Sequence, residues 1–404
     1  LMEKLFLNFL FYLRYNDDDK EFLYLKRYYS NPDFCLFGIP EYKENDDYII
    51  KREIYQIIIS YINDNVTRIS FNAFKDCFKL TSIKLKNAIF IGDSAFENCS
   101  ELTSIHIPNV TSIRNNVFEN CFKLTSIDIS SAITIGDNAF KGCTELISID
   151  ISNVTSIGDN VFEGCINLKK IIVKITNEKI NTLIKNIKIT TIEIINDKMT
   201  SIIEDAFSEC DSLTEIILPK NLETICDYAF EHCSDLTTIN LPNKLKTIDD
   251  MVFDKCTSLT EISLPPNIKS IGKYIFHNCF KLKTIKLPKN IESIGKYAFS
   301  GCKSLTKIVI PKSITCIDIG VFFECFKLQS IILPDSITNI NIHAFYNCTS
   351  LTDISLPVSI ISINESAFTG CSRLTTIKLP KLFEERQNEN TYFPDAPDAI
   401  ISYH

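Results

Sequence analysis

Apolar and polar positions along most of this chain follow one short unit written again and again. In Leu305-Thr306-Lys307-Ile308-Val309-Ile310 the first, fourth and sixth places are apolar. Side chains alternate between the two faces of a strand, so the fourth and sixth places are expected to face a core with the first. The third and fifth are expected to face solvent. In the later units a proline follows, as at Pro219, Pro265, Pro311 and Pro380. Having no N–H, it ends the strand. A shorter apolar pair such as Ile291 and Ile294 marks a return strand. Next comes Gly92, Gly136, Gly158, Gly272 or Gly295, and in other units Asp249, Asp318, Asn341 or Asn364. These residue types tolerate positive φ, which predicts a left-handed corner there. The following Ala-Phe-x-x-Cys reads as a single helical turn with Phe and Cys pointing inward.

The Phe-x-x-Cys pair fixes the period. Its cysteines step by 22 residues from Cys77 to Cys165 and by 23 from Cys210 to Cys371. The one gap, 45 residues from Cys165 to Cys210, is 22 plus 23, so a rung has lost its marker and kept its length. Its strand is read at Ile189–Ile194, and a kink or bulged loop is expected within Ile175–Lys188. A fixed short period means a solenoid, in which each unit buries its apolar face against its neighbours. The predicted fold is therefore a β-rich solenoid of about fourteen rungs of 22–23 residues. Phe96, Cys99, Phe253, Cys256, Phe299 and Cys302 represent its structural ladder.

Three segments follow: an N-terminal cap or domain remnant over 1–64, the solenoid over 65–380 with its irregular rung near 175–200, and an acidic cap or tail over 381–404. The run Leu5–Leu13 is too short to span a bilayer and reads as a short helix covering the first rung. A degraded or truncated signal peptide is the alternative. Ile54, Ile57 and Ile59 read as an irregular first strand.

Composition narrows the function classes. Apolar residues make 45% and charged residues 23% of the 404, as in a folded soluble protein. The net charge is −8; residues 1–64 carry 8 basic and 12 acidic side chains and residues 381–404 carry 2 and 5. The repeats are thus near neutral, unlike a nucleic-acid binder. None of the sixteen cysteines forms a C-x-x-C pair, and the five histidines are not at zinc-ligand spacing, so no metal or cofactor is expected. A cysteine at one place of every rung behaves as a small buried hydrophobe with a weak donor. Stacked in parallel, such side chains suit disulfide geometry poorly. There is no G-x-S-x-G, H-E-x-x-H or G-x-x-x-x-G-K-[ST]. His106, His232, His277, His343 and His404 occupy variable sites and read as having no paired base or nucleophile. Enzyme activity is not expected. Sequons at Asn65, Asn98, Asn109, Asn153, Asn347 and Asn364 do not decide the compartment.

The unit L-T-x-I-x-L-P-x-x-I-x-x-I-G-x-x-A-F-x-x-C resembles the BspA-type (Treponema pallidum-type) leucine-rich repeats from about Val66 to Pro380, with thirteen marked copies. The resemblance implies a curved, right-handed β/3-10 leucine-rich-repeat coil. It also implies a surface or secreted protein of a bacterium or parasitic protist, acting in adhesion to host matrix proteins or other cells. The expected function is a non-enzymatic protein- or glycan-binding repeat module for surface adhesion or host and cell recognition. An intracellular scaffold or adaptor is the alternative, with a cytoplasmic location if a signal peptide is truly missing. The partner is expected to be a protein or an acidic glycan; ligand identity and oligomeric state are not legible.

Since the recurrent residues are core, binding must use what varies. At the fifth place Ile172, Ile217, Val309 and Ile332 are read as exposed apolar residues, with Val309 and Ile332 side by side. Residues 267–312 hold ten lysines and one acid, Glu292. Such a belt attracts anions at long range: a sulfated glycan, an anionic lipid headgroup or an acidic protein. A merely solvated lysine-rich face is the other reading. Lys283, Lys286 and Lys307, on or beside the strand face, join Val309 and Ile332 as candidate binding residues.

Overall fold

Each rung is two short strands joined by hydrogen-bonded turns, stacked in parallel on the rung before. The computed structural model describes residues 67–69, 71–174, 184, 187–386 and 392–404, with the backbone of 35–36. The readings of Leu5–Leu13 and of Ile54, Ile57 and Ile59 fall outside the described residues, as does most of Ile175–Lys188. Two compact units, Leu1–Leu168 and Lys169–His404, divide the chain.

In the first unit strands Ser82–Lys84, Ser104–His106 and Ser126–Asp128 pair in parallel, with Ile83, Ile105 and Ile127 in register. The return strands Arg68–Ile69, Phe90–Ile91, Ser112–Ile113, Thr134–Ile135 and Ser156–Ile157 form a second parallel sheet, which the backbone of Cys35–Leu36 extends. The second unit repeats the scheme. Glu261–Ser263 pairs with Thr284–Lys286, and Lys307–Val309 with Ser330–Ile332. The central residue of most of these three-residue strands is buried between exposed neighbours, as the alternation requires.

The core is a stack of phenylalanine rings. Phe230, Phe253 and Phe276 lie 5.6 Å apart, within 5° of parallel, and all are fully buried. Beside them runs a ladder of thiols. Cys99 donates to the carbonyl of Phe74 at 3.1 Å, Cys256 to Phe230 at 3.2 Å and Cys302 to Phe276 at 3.2 Å. Each Cys N–H also closes an i→i+3 bond to its own Phe carbonyl, as Cys302 does to Phe299 at 3.1 Å. Phe96, Cys99, Phe253, Cys256, Phe299 and Cys302 all have no exposed surface.

The expected left-handed corner is corrected by the backbone. Positive φ falls two residues before and two after the ladder Phe, at Tyr297 (φ 56) and Gly301 (φ 71) around Phe299. These two residues bracket the Phe-x-x-Cys turn and stop it from extending into helix. The glycine four residues before Phe serves a different need. A Cβ on Gly295 would lie 2.7 Å from the backbone of Gly272 and Lys273 one rung earlier, so the backbones approach too closely for a side chain. Asn and Asp occupy that place in other rungs, and none of Asp249, Asp318, Asn341 and Asn364 has positive φ.

The gap rung keeps the ladder period and shifts its strand. Ile184, 22 residues after Phe162 and 23 before Phe207, is buried in the phenylalanine's place. Ile187 N–H bonds to the Ile184 carbonyl at 3.2 Å, so Ile184-x-x-Ile187 substitutes for Phe-x-x-Cys. The strand register divides the interval differently: Lys170 pairs with Thr191, 21 residues on, and Thr191 with Glu215, 24 on.

Beyond Pro380, strand Ile400–Tyr403 pairs in parallel with Thr376–Leu379. Phe393 lies over Phe368 at 4.8 Å and extends the ring stack by one place. A 3-10 helix, Lys381–Arg386, buries Phe383 on the way. Among the described residues no helix is long and apolar enough to cross a membrane.

Candidate functional site

The outward side chains of the first strand of each rung make a face whose composition is free to vary. Within the second unit, Val309 and Ile332 are paired neighbours on strands Lys307–Val309 and Ser330–Ile332 and are 60% and 64% exposed. A cavity of about 330 Å³ opens beside Ile332, lined also by Leu333, Ser355, Pro357, Val358 and His404. Ile217 is exposed, whereas Ile172 is half-buried, beside Glu193 on the neighbouring strand. Ile172 is therefore not the exposed residue its fifth place predicts.

The lysine belt resolves into two sets. Lys269 pairs with Glu292 at 3.2 Å and Lys273 with Asp250 at 3.2 Å. Lys303 sits over the Phe280 ring at 4.3 Å, and Lys281 reaches Ser258 at 3.4 Å. Lys283, Lys286, Lys289, Lys296, Lys307 and Lys312 are exposed and have no acidic partner among the described residues. Lys286 holds the fifth place one rung before Val309, Lys307 the third place of the Val309 rung, and Lys283 precedes strand Thr284–Lys286. Strands Thr284–Lys286 and Lys307–Val309 are neighbours in the stack, which sets Lys286 one rung before Val309 and Lys307 two places before it on its own strand, with Lys283 further along the same edge. Uncompensated ammonium groups next to exposed aliphatic carbon suit a partner with both anionic and apolar parts.

The histidines are not without partners. His277 Nδ1 lies 2.8 Å from Oδ1 of Asp254, a carboxylate buried in the rung before. His232 Nε2 lies 2.7 Å from Lys255 Nζ. Sequence inspection missed both because the partner stands 23 residues away, one repeat, in a column that only the period reveals. The other nitrogen of His277 lies 3.1 Å from Asn278 Nδ2. Both ring nitrogens are therefore engaged, and the imidazole ties two rungs together. Among the described residues no three of His, Cys, Asp and Glu form a metal-binding group.

Burial sets the chemistry of the thiols. Desolvation raises the pKa of Cys121, Cys143, Cys233, Cys279 and Cys302 well above the ordinary thiol value and brings Cys165 to about 12. Such cysteines are poor nucleophiles and poor metal ligands.

A family model described as BspA type leucine rich repeat region matches residues 67–184, 181–306 and 269–392. Among solved structures, a leucine-rich repeat protein from Bacteroides ovatus is 29% identical over 84% of this chain and 88% of its own, with a TM-score of 0.50. The Treponema pallidum leucine-rich repeat protein is 28% identical over 41% of this chain and 78% of its own (TM-score 0.39). A leucine-rich cell surface protein from Faecalibacterium prausnitzii is 27% identical over 78% and 83% (TM-score 0.36). No curated protein matches the chain.

Proposed function

Because the chain belongs to the BspA-type leucine-rich repeat family, we propose that it is a non-enzymatic binding module whose strand face engages a protein or an acidic glycan in surface adhesion or recognition. The observation that supports this reading most is the conjunction of Lys283, Lys286 and Lys307, exposed and without acidic partners, with the exposed Val309–Ile332 pair. Lysines of this kind draw an anionic partner in from a distance, and the apolar pair adds a contact that salt does not screen. The variation of outward residues from rung to rung, over a core that hardly varies, is what a repeat scaffold offers for recognition.

A second reading, an intracellular scaffold or adaptor, draws on the ladder of unbridged thiols at Cys99 through Cys371, which are at home in a reducing compartment. Antibody labelling of cells with and without permeabilisation separates the two. Labelling of intact cells is the expected result, and labelling only after permeabilisation would overturn the adhesion reading in favour of the scaffold.

A further inference from the structure

Four successive rungs of the second unit abandon a side-chain hydrogen bond that earlier rungs use beside the turn. Three residues before the ladder Phe, six of the thirteen marked rungs carry Asp or Asn, and five of these side chains accept the next rung's N–H at the same place. Asn115 accepts from Asp137 at 2.9 Å, Asp137 from Asp159 at 2.8 Å, Asp227 from Asp250 at 2.8 Å and Asp250 from Lys273 at 2.7 Å. There the ladder stops, because the place is then held by Lys273, Lys296, Ile319 and Ile342, none of which can accept. One residue on, φ is positive. The first unit fills that place with Asn72, Ser94, Asn116, Asn138 and Asn160, which are small polar residues, four of the five of the Asn type that tolerates the conformation best. The second unit places Tyr228 (φ 57), Met251 (φ 57), Tyr274 (φ 54), Tyr297 (φ 56), Gly320 (φ 59) and His343 (φ 57) there, so large side chains at this place begin two rungs before the ladder is lost. One residue after Phe, three of the four rungs carry His277, Phe323 and Tyr346 and the other Ser300, where earlier rungs carry an acid (Glu97, Glu119, Glu163, Glu231, Asp254) or Lys75, Lys141 and Ser208.

These replacements meet in space. Tyr274 and Tyr297 stack at 4.9 Å and 7°, Phe323 and Tyr346 stack at 4.9 Å and 7°, and Tyr297 meets Phe323 edge-on at 6.3 Å. All four rings are half-buried and Ile342 is 42% exposed. Ring stacking offsets part of the backbone strain, but it does not account for giving up the acid ladder in the same rungs.

We propose that this aromatic strip on the turn side is a second docking surface, separate from the strand face, and that its occupant is a polypeptide presenting acidic side chains next to an apolar one. Charge complementarity supports this choice. Lys296 is exposed with no acidic partner among the described residues, beside Tyr297. Ile342, Phe323 and Tyr346 supply the aliphatic and aromatic contact at the other end, in the residue types that dominate protein interfaces.

The test is selection of phage-displayed 12-residue peptides on the full chain, followed by titration of the selected peptides against variants. Enriched peptides are expected to combine Asp or Glu with an apolar residue, and binding is expected to weaken about tenfold or more in Lys296→Asp and in Tyr297→Asn. The Lys283→Ser, Lys307→Ser double variant is expected to bind them normally. Since Asn suits this backbone place, Tyr297→Asn should keep its melting temperature within about 2 °C of the parent. Absence of acidic peptides, binding indifferent to both strip variants, or a fall of more than about 5 °C in Tyr297→Asn would overturn the proposal. So would strip-dependent binding of heparin or phosphatidylserine vesicles in place of peptides.

Discussion

The thiol of Cys256 donates to the carbonyl of Phe230, 26 residues earlier, at 3.2 Å. That one bond joins the two markers of the repeat across a rung boundary: the cysteine stands three residues after its own phenylalanine and reaches back to the preceding one. Phe-x-x-Cys is therefore both a turn within a rung and a fastener between rungs, and a substitution in it acts on two interfaces.

Phe253→Ala tests that double role. The ring is fully buried between Phe230 and Phe276. Its removal is expected to cost about 3–5 kcal/mol in denaturant unfolding. A loss near 1 kcal/mol, the ordinary effect of a point substitution, would place the ring outside the load of the core.

The raised thiol pKa values make stability fall at alkaline pH. Desolvation is the leading cause for Cys256, Cys279 and Cys302. An unfolded thiol ionises near about 8.5. The folded value lies above that, so the contribution is complete below the unfolded pKa and is lost as pH rises through the folded one. Unfolding free energies from urea titrations are expected to be level from about pH 6 to 8 and to fall above about pH 9, by roughly 1.4 kcal/mol per pH unit for each buried thiol. A Cys256→Ala, Cys279→Ala, Cys302→Ala variant should show a shallower fall than its parent over the same range.

Alkylation of the native protein should divide the described cysteines by burial. Cys226 and Cys316 are half-buried and are expected to react with iodoacetamide early, while Cys233, Cys279 and Cys325 react only as the rungs open. Mass spectrometry of peptides at successive times checks this order.

The two kinds of glycine should respond differently. Gly295→Ala forces a Cβ against backbone at 2.7 Å and is expected to cost about 1–3 kcal/mol. Gly164 has φ +76 and nothing nearer than 3.5 Å to a built Cβ, so Gly164→Asn should be neutral to within about 0.5 kcal/mol.

Much of this architecture was legible because the period exposes it. Ile308 and Ile310 are buried and Lys307 and Val309 exposed, as alternation required, and Phe299 and Cys302 are buried at the places their recurrence marked. What escaped the sequence depends on geometry across rungs. Tyr297 and Met251 hold positive φ although neither residue type suggests it. Gly295 is required by an approach of two backbones 23 residues apart, which residue preference alone misread as a corner. The 21- and 24-residue strand intervals around Thr191 could not be separated from 22 and 23 without the pairing register. At the surface, the exposure of Lys283, Lys286 and Lys307 could be anticipated from their places. Which lysines find an acid could not: Lys273 meets Asp250 and Lys269 meets Glu292 only through stacking. The His277–Asp254 pair was hidden for the same reason.

The most direct test of the strand face as a binding surface is the retention of the full chain on immobilised heparin across a salt gradient, compared with a Lys283→Ser, Lys286→Ser, Lys307→Ser variant. The expected result is retention that weakens steeply with salt and a variant that elutes at clearly lower ionic strength, its melting temperature unchanged. Retention that ignores salt, or a variant that elutes with its parent, would contradict the account.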